Sequence, residues 1–210
     1  MLKAILDNTS IKSEEIEWHG HNDFHKVLVN AVCAWIHGAC AANGTFLGFG
    51  ERTGNPPIEG LVFEWMGLTG IHEGIDTTAI KDAAEYFRDE IGYEIPSNFP
   101  FVGSDFNTTR AGIHADGLSK NEEIYNIFDT QKWLKSPCKV GITNSSGLAG
   151  IAYWLHTNVG SSAQNIRKDN PGIVAIKDWI DEEYKNGRAT SISDEEMMTL
   201  AKKNLPELFK

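Results

Sequence analysis

Along the first third of the chain, short apolar runs alternate with stretches whose apolar residues recur at helical spacing. Glu15 to His19 (EIEWH) reads as a short strand, and Phe24 to Ala42 carries apolar residues at the spacing of one helix face. Gly44 to Gly50 (GTFLGFG) is a short apolar run bounded by glycines, the pattern of a buried strand. Pro56 and Pro57 then precede an apolar-rich helix over Ile58 to Leu68, at a place where a helix start tolerates proline. The resulting strand–helix–strand–helix string predicts parallel strands with helices outside, in a β/α barrel or an open doubly wound sheet.

After Gly70 the pattern changes. A helix is predicted over Thr77 to Ile91, followed by an irregular stretch rich in Pro and Asn through Phe99 and Pro100. The remainder reads as mainly helical, with helices over Asn121 to Phe128, Gly147 to His156, Gly172 to Asn186 and Asp194 to Asn204. The last opens with an Asp cap signal and closes before Pro206.

Composition narrows the classes. The 210 residues are 41% hydrophobic, enough for one large or two small domains. No apolar run approaches the roughly 20 residues of a membrane-spanning helix, and the N-terminus does not have the make-up of a signal peptide, so a cytoplasmic chain without a membrane partner is expected. The net charge of −10 repels a nucleic-acid backbone, which argues against that partner. Cys33, Cys40 and Cys138 form no CxxC pair and are expected as reduced thiols, two of them packed in a helix.

Three segments carry candidate chemistry. His19 and His21 in HGHND (His19 to Asp23) are spaced i, i+2 at a strand end, so both imidazoles face the same way and could chelate a metal. The plainer alternative is two histidines that stabilise a strand end by hydrogen bonds. Gly48 to Asn55 (GFGERTGN) follows the second expected strand, where a barrel places its active-site loops. Gly48, Gly50 and Gly54 permit close backbone approach, while Glu51, Arg52 and Asn55 bring an acid, a fixed cation and an amide to one mouth. The alternative is a glycine-rich turn with an internal Glu51–Arg52 pair. His114, in AGIHADG (Ala111 to Gly117), lies among small residues where a general base could reach a substrate, although a lone His is as readily structural.

Taken in order, HGHND, Val29-Asn30-Ala31, GFGERTGN, Pro100 to Gly103, AGIHADG and Asn121 to Asp129 (NEEIYNIFD) resemble the isopropylmalate/homocitrate synthase family of metal-dependent Claisen enzymes. AGIHA is closer to the homocitrate type, and HNDFHK resembles the Re-citrate type of the same group. The resemblance implies an α/β fold: the last βα units of a TIM (β/α)8 barrel at residues 1–75, a linker subdomain with the His114 loop at 76–125, and a helical subdomain at 126–210. It also implies an enzyme that condenses acetyl-CoA with a 2-oxo acid and hydrolyses the thioester. His19 and His21 would bind a divalent metal (Mn, Mg, Zn or Co), with Asn55 in or beside its shell and Glu51 hydrogen-bonded behind it. Arg52 belongs to the same catalytic loop, Gly48, Gly50 and Gly54 to the cofactor-binding backbone, and His114 would assist proton transfer across a homodimer made by the helical subdomain.

The sequence departs from that family in several places. Nothing like its DxxLRDG opening strand precedes His19, which implies that about six of the eight barrel strands are missing and that the isolated chain is inactive. His25 stands where a small residue is usual, Thr109 where a first His is usual, and the tyrosine expected near Cys138 to Val140 is absent. The competing expectation is a non-catalytic truncated homologue that acts as a dimerisation or regulatory module.

Overall fold

The expected strand at residues 15–19 is reduced to two residues in the computed structural model of the chain, which describes residues 1–110, 117–118, 121–124 and 126–209. The chain divides into two units, Met1–Glu94 and Ile95–Lys210. In the first unit, α1 (Leu2–Asn8) buries no side chain. β1 (Glu17–Trp18) leads into α2 (Val27–Ile36), and the chain returns as β2 (Ala41–Ala42), parallel to β1 with Glu17 opposite Ala41 and Trp18 opposite Ala42. The helix buries Val27, Ala31 and Ala34, one face at i, i+4, i+7. It stops well before Ala42 because Gly38 takes a φ of 105°, open to glycine at no steric cost, which lets the last residues of the apolar pattern extend as β2.

The Gly44 to Gly50 run is not a strand. Thr45 alone forms an isolated parallel bridge, to Pro57, and Phe46–Gly48 is a 3-10 turn. Leu47 at φ 56° and Gly48 at φ 67° sit in the left-handed region, so the run cannot stay extended. α3 (Ile58–Thr69) follows Pro57 and ends on Gly70 in the left-handed conformation, whose N–H donates to Met66 O. α4 (Ala79–Asp89) completes the unit and buries Ile80 and Ala84. Cys33 lies exposed on α2 and Cys40 exposed beyond its end, so neither thiol is packed in a helix as expected, and no disulfide forms among the described residues.

In the second unit, β3 (Thr108–Thr109) and β4 (Lys139–Val140) pair in parallel, and α5 (Thr130–Leu134) lies between them in sequence. Asn107 is buried and donates to Thr130 Oγ1 (3.2 Å), Ser136 O (2.9 Å) and Pro137 O (3.0 Å), which ties the start of β3 to the turn before β4. The helix expected over residues 121–128 is described only as a 3-10 turn, Glu122–Ile124. Ile124 and Ile127 are 54% and 96% exposed there, so the burial that stabilises a longer helix is not gained.

The main core of this unit is built by α6 (Leu148–Asn158), α7 (Pro171–Lys185) and α8 (Asp194–Asn204). Ile151, Leu155, Ile173, Ile176, Ile180 and Met197 are fully buried within it. α8 matches its expected bounds, but its cap is Ser193, which forms a capping box with Glu196. Asp194 instead accepts from Trp154 Nε1 at 2.7 Å, joining α8 to α6. Helices with two small parallel sheets make this an α/β protein, and no helix among the described residues is long and apolar enough to cross a membrane.

Ile176→Ala should destabilise the second unit by about 2–5 kcal/mol in urea melts, since the deletion leaves a cavity at a fully buried position. Arg188, bonded to Glu196 at 2.6 Å through both amino groups, holds the Glu196 carboxyl down at about 2 from its ordinary 4.5. The stabilisation is therefore complete above pH 4.5 and is lost as pH falls through about 2. Glu196→Gln should flatten the acid limb of the stability–pH curve over that window.

Candidate active site

His19 and His21 follow β1 rather than belong to it, and their rings meet edge to face with centroids 5.2 Å apart. His19 Nδ1 is 3.1 Å from Asn43 Oδ1, and Asn43 Nδ2 donates to Glu17 Oε1 at 3.0 Å. That much agrees with a strand end stabilised by hydrogen bonds. His21 does not follow suit: its Nδ1 is buried and has no hydrogen-bond partner among the described residues.

The segment behind the histidines is clamped onto the Gly48 to Asn55 loop by three interactions. Asn22 N–H donates to Gly54 O at 3.0 Å, Thr53 Oγ1 donates to Asp23 Oδ1 at 3.0 Å, and Arg52 forms an ion pair with Asp23 Oδ2. Arg52 therefore pairs with Asp23 and not with its neighbour Glu51, whose side chain is exposed. The Arg52 guanidinium, helped by the Thr53 hydroxyl, holds the Asp23 carboxyl below its ordinary 3.8. Asp23 is thus an anchor for the loop, with both carboxylate oxygens engaged. Arg52 itself sits at φ 55°, a left-handed conformation uncommon for a bulky residue.

The glycines are there for close approach. A side chain at Gly50 would collide with the Asn55 amide, and one at Gly54 would collide with the carbonyl of Gly48. Gly48 and Gly54 have φ of 67° and 88°. Asn55 N–H donates back to Gly48 O at 3.0 Å, closing the loop on itself. Asn55 Oδ1 is left buried without a hydrogen-bond partner among the described residues, as is His21 Nδ1 on the segment held against this loop. Orphaned buried polar atoms are rare and call for a partner.

A further carboxylate, not singled out by sequence pattern, supports the loop from below. Glu59 on α3 is 1% exposed, accepts from Leu47 N–H through Oε2 at 3.1 Å, and leaves Oε1 unbonded among the described residues. Burial pushes its carboxyl above the ordinary 4.5, against the hydrogen bonds that lower it. Glu59 was legible only as one polar position in an apolar helix. Its depth depends on α3 packing under the turn at Leu47.

Two imidazoles and an amide oxygen fit a borderline divalent metal, but no group of three His, Cys, Asp or Glu among the described residues could hold one alone. A cleft of about 490 Å³ in the same unit is lined by Trp35, Ile58, Leu61 and Trp65, with Glu17 and Asn43 at its polar edge. It meets the histidine segment only through those last two residues, and its apolar lining assigns it no chemistry. His114 lies outside the described residues.

Asp23→Ala should release Arg52 and Thr53 and raise the hydrogen-exchange rate of the Asn22 amide about tenfold, while the global urea midpoint stays close to that of the wild type because the ion pair is exposed. For Glu59 the raised value means stability is fully present below pH 4.5 and is lost as pH rises through the folded-state value. Urea midpoints at pH 4.5 and 7.5 should differ in that sense for the wild type and converge in Glu59→Gln.

Residues 1–87 match the HMGL-like family model. The whole chain is 57% identical to a protein named citrate (Re)-synthase of Syntrophus aciditrophicus, covering 33% of that protein. It is 47% identical over its whole length to a citrate (Re)-synthase of Clostridium kluyveri, covering 46% of it. Over 63% of the chain it is 36% identical to 2-isopropylmalate synthase 2 of Caldanaerobacter subterraneus, covering 34% of that relative. The chain therefore spans between a third and a half of the length of these curated relatives. Its first 87 residues are thus similar to the HMGL-like family, and the chain is similar, over part of their length, to proteins named citrate (Re)-synthase, 2-isopropylmalate synthase and homocitrate synthase.

Proposed function

We propose that this chain forms part of an acyl-CoA:2-oxo acid C-acyltransferase that joins acetyl-CoA to oxaloacetate, the 2-oxo acid that citrate formation requires. The substrate choice rests on the 57% and 47% identity to proteins named citrate (Re)-synthase. The observation that supports the site is the clamp of Asn22 and Asp23, next in sequence to His21, onto Arg52, Thr53 and Gly54, next in sequence to Asn55, whose amide oxygen has no hydrogen-bond partner among the described residues. In this reading residues 1–75 are the last βα units of a TIM barrel, 76–125 a linker subdomain and 126–210 a helical subdomain through which a cytoplasmic homodimer forms.

His19, His21 and Asn55 would hold a divalent metal such as Mn, Mg, Zn or Co, together with an acidic ligand supplied from outside this chain. When bound, the metal supplies Lewis acidity to the carbonyl of the 2-oxo acid. Gly48, Gly50 and Gly54 let the loop backbone fold closely around Asn55, whose amide oxygen would be available to the metal. Arg52, fixed by Asp23, holds the loop in a left-handed turn and presents positive charge at the mouth for an anionic substrate. Glu51 is the exposed acid of the same loop. His114 would take the proton from the acetyl methyl as general base.

The test is to incubate the chain with Mn or Co, acetyl-CoA and a panel of 2-oxo acids, with and without a supplied N-terminal barrel half, and to measure free CoA. The chain alone should be inactive, and the assembled pair should release CoA with oxaloacetate. His114→Ala should cut that rate by about 10²–10⁴-fold. Absence of thiol release from every assembled combination would overturn the enzyme reading in favour of a non-catalytic dimerisation or regulatory module. The isolated chain should bind Co(II) weakly in calorimetry, because a metal site short of ligands loses affinity.

A further inference from the structure

The His19 imidazole stands at the end of a hydrogen-bonded chain whose direction is set at the far end. In the parallel register Trp18 faces Ala42, and the Asn43 N–H donates to Trp18 O at 2.8 Å. Asn43 thus lies across from Glu17 and His19, which share one side of the backbone two residues apart. Glu17 Oε1 accepts from Asn43 Nδ2 at 3.0 Å, and Asn43 Oδ1 lies 3.1 Å from His19 Nδ1.

A carboxylate only accepts, so Glu17 takes the amide nitrogen and turns the amide oxygen toward His19. An amide oxygen also only accepts, so His19 Nδ1 must carry the ring proton. The lone pair of the neutral ring is then left on Nε2. We propose that Glu17 and Asn43 are positioning residues that lock His19 in the Nδ1–H tautomer and so present Nε2 as a metal donor. The donor role rests on the metal reading of this site, whereas the tautomer lock stands on the hydrogen bonds alone. Neither residue belongs to the HGHND or GFGERTGN motif, and Asn43 directly follows the opposite strand.

The deciding measurement is long-range proton–nitrogen NMR of the ¹⁵N-labelled full chain, metal-free and above the imidazole titration, with His19 identified by the signals lost in His19→Gln. The wild type should show Nδ1 protonated. Glu17→Gln, whose amide can donate to Asn43, lets that amide turn over, so His19 should become a mixture of tautomers. Calorimetry with Co(II) alone should show about tenfold or greater loss of affinity in Glu17→Gln and Asn43→Ala. Wild-type His19 protonated on Nε2 overturns the lock, as does an unchanged tautomer in a Glu17→Gln chain that melts like the wild type. Were the variant to unfold, the wild-type tautomer would still decide. A tautomer shift with unchanged Co(II) affinity overturns the donor role. A wild-type chain with Nδ1 protonated that binds no Co(II) instead sinks the metal reading and leaves the lock standing.

Discussion

The hydrogen bond from Asn22 N–H to Gly54 O, flanked by the Asp23 contacts to Arg52 and Thr53, joins two segments that are about thirty residues apart in sequence. The positions of His21 and Asn55 depend on that join. His21 takes its position from the N-terminal side of it and Asn55 from the C-terminal side. Each segment alone would be an exposed loop, with the ordering entropy of such loops unopposed. Because Asp23 spends both carboxylate oxygens on the join, it is a fastener.

The loop is held from two further directions. Glycines at 48, 50 and 54 remove the Cβ atoms that would collide with Gly48 and Asn55, so the backbone can fold tightly around the Asn55 amide. Below, the buried Glu59 carboxylate accepts the Leu47 N–H, a donor that the left-handed turn leaves without a strand partner. Burying a carboxylate is costly, which its raised pKa registers, and one oxygen remains unbonded among the described residues. That cost is borne where the loop needs a rigid floor. On the other side, Glu17 and Asn43 hold His19, so three separate hydrogen-bonding arrangements converge on one small region.

The second unit obeys simpler physics. Its core of Ile, Leu and Met side chains on three helices accounts for its packing, with Trp154 to Asp194 and the Ser193–Glu196 capping box setting where α8 begins. The first unit, by contrast, leaves large apolar residues such as Val29, Ile36 and Trp65 substantially exposed on α2 and α3. A βαβ element has two sheet faces and two edges to cover, and a pair of two-residue strands cannot cover them.

Periodicity by itself located most helices: Ala79–Asp89, Leu148–Asn158, Pro171–Lys185 and Asp194–Asn204 fall within a few residues of where apolar spacing and caps put them. The motif residues were also legible, because paired His at i, i+2 and a glycine-rich GERTGN string are local patterns. Local pattern failed at Gly44 to Gly50, where an apolar run looks like a strand but Leu47 and Gly48 turn left-handed, and at Ala41–Ala42, which reads as the end of a helix and pairs instead with β1. Partners were out of reach as well: Arg52 with Asp23, Glu59 with Leu47, and Asn43 with His19. Sequence determined which residue types lie together along the backbone and therefore what chemistry the chain can offer. Only tertiary structure decided which donors meet which acceptors, because a hydrogen bond depends on distances of about 3 Å between segments whose separation along the chain carries no information about their separation in space.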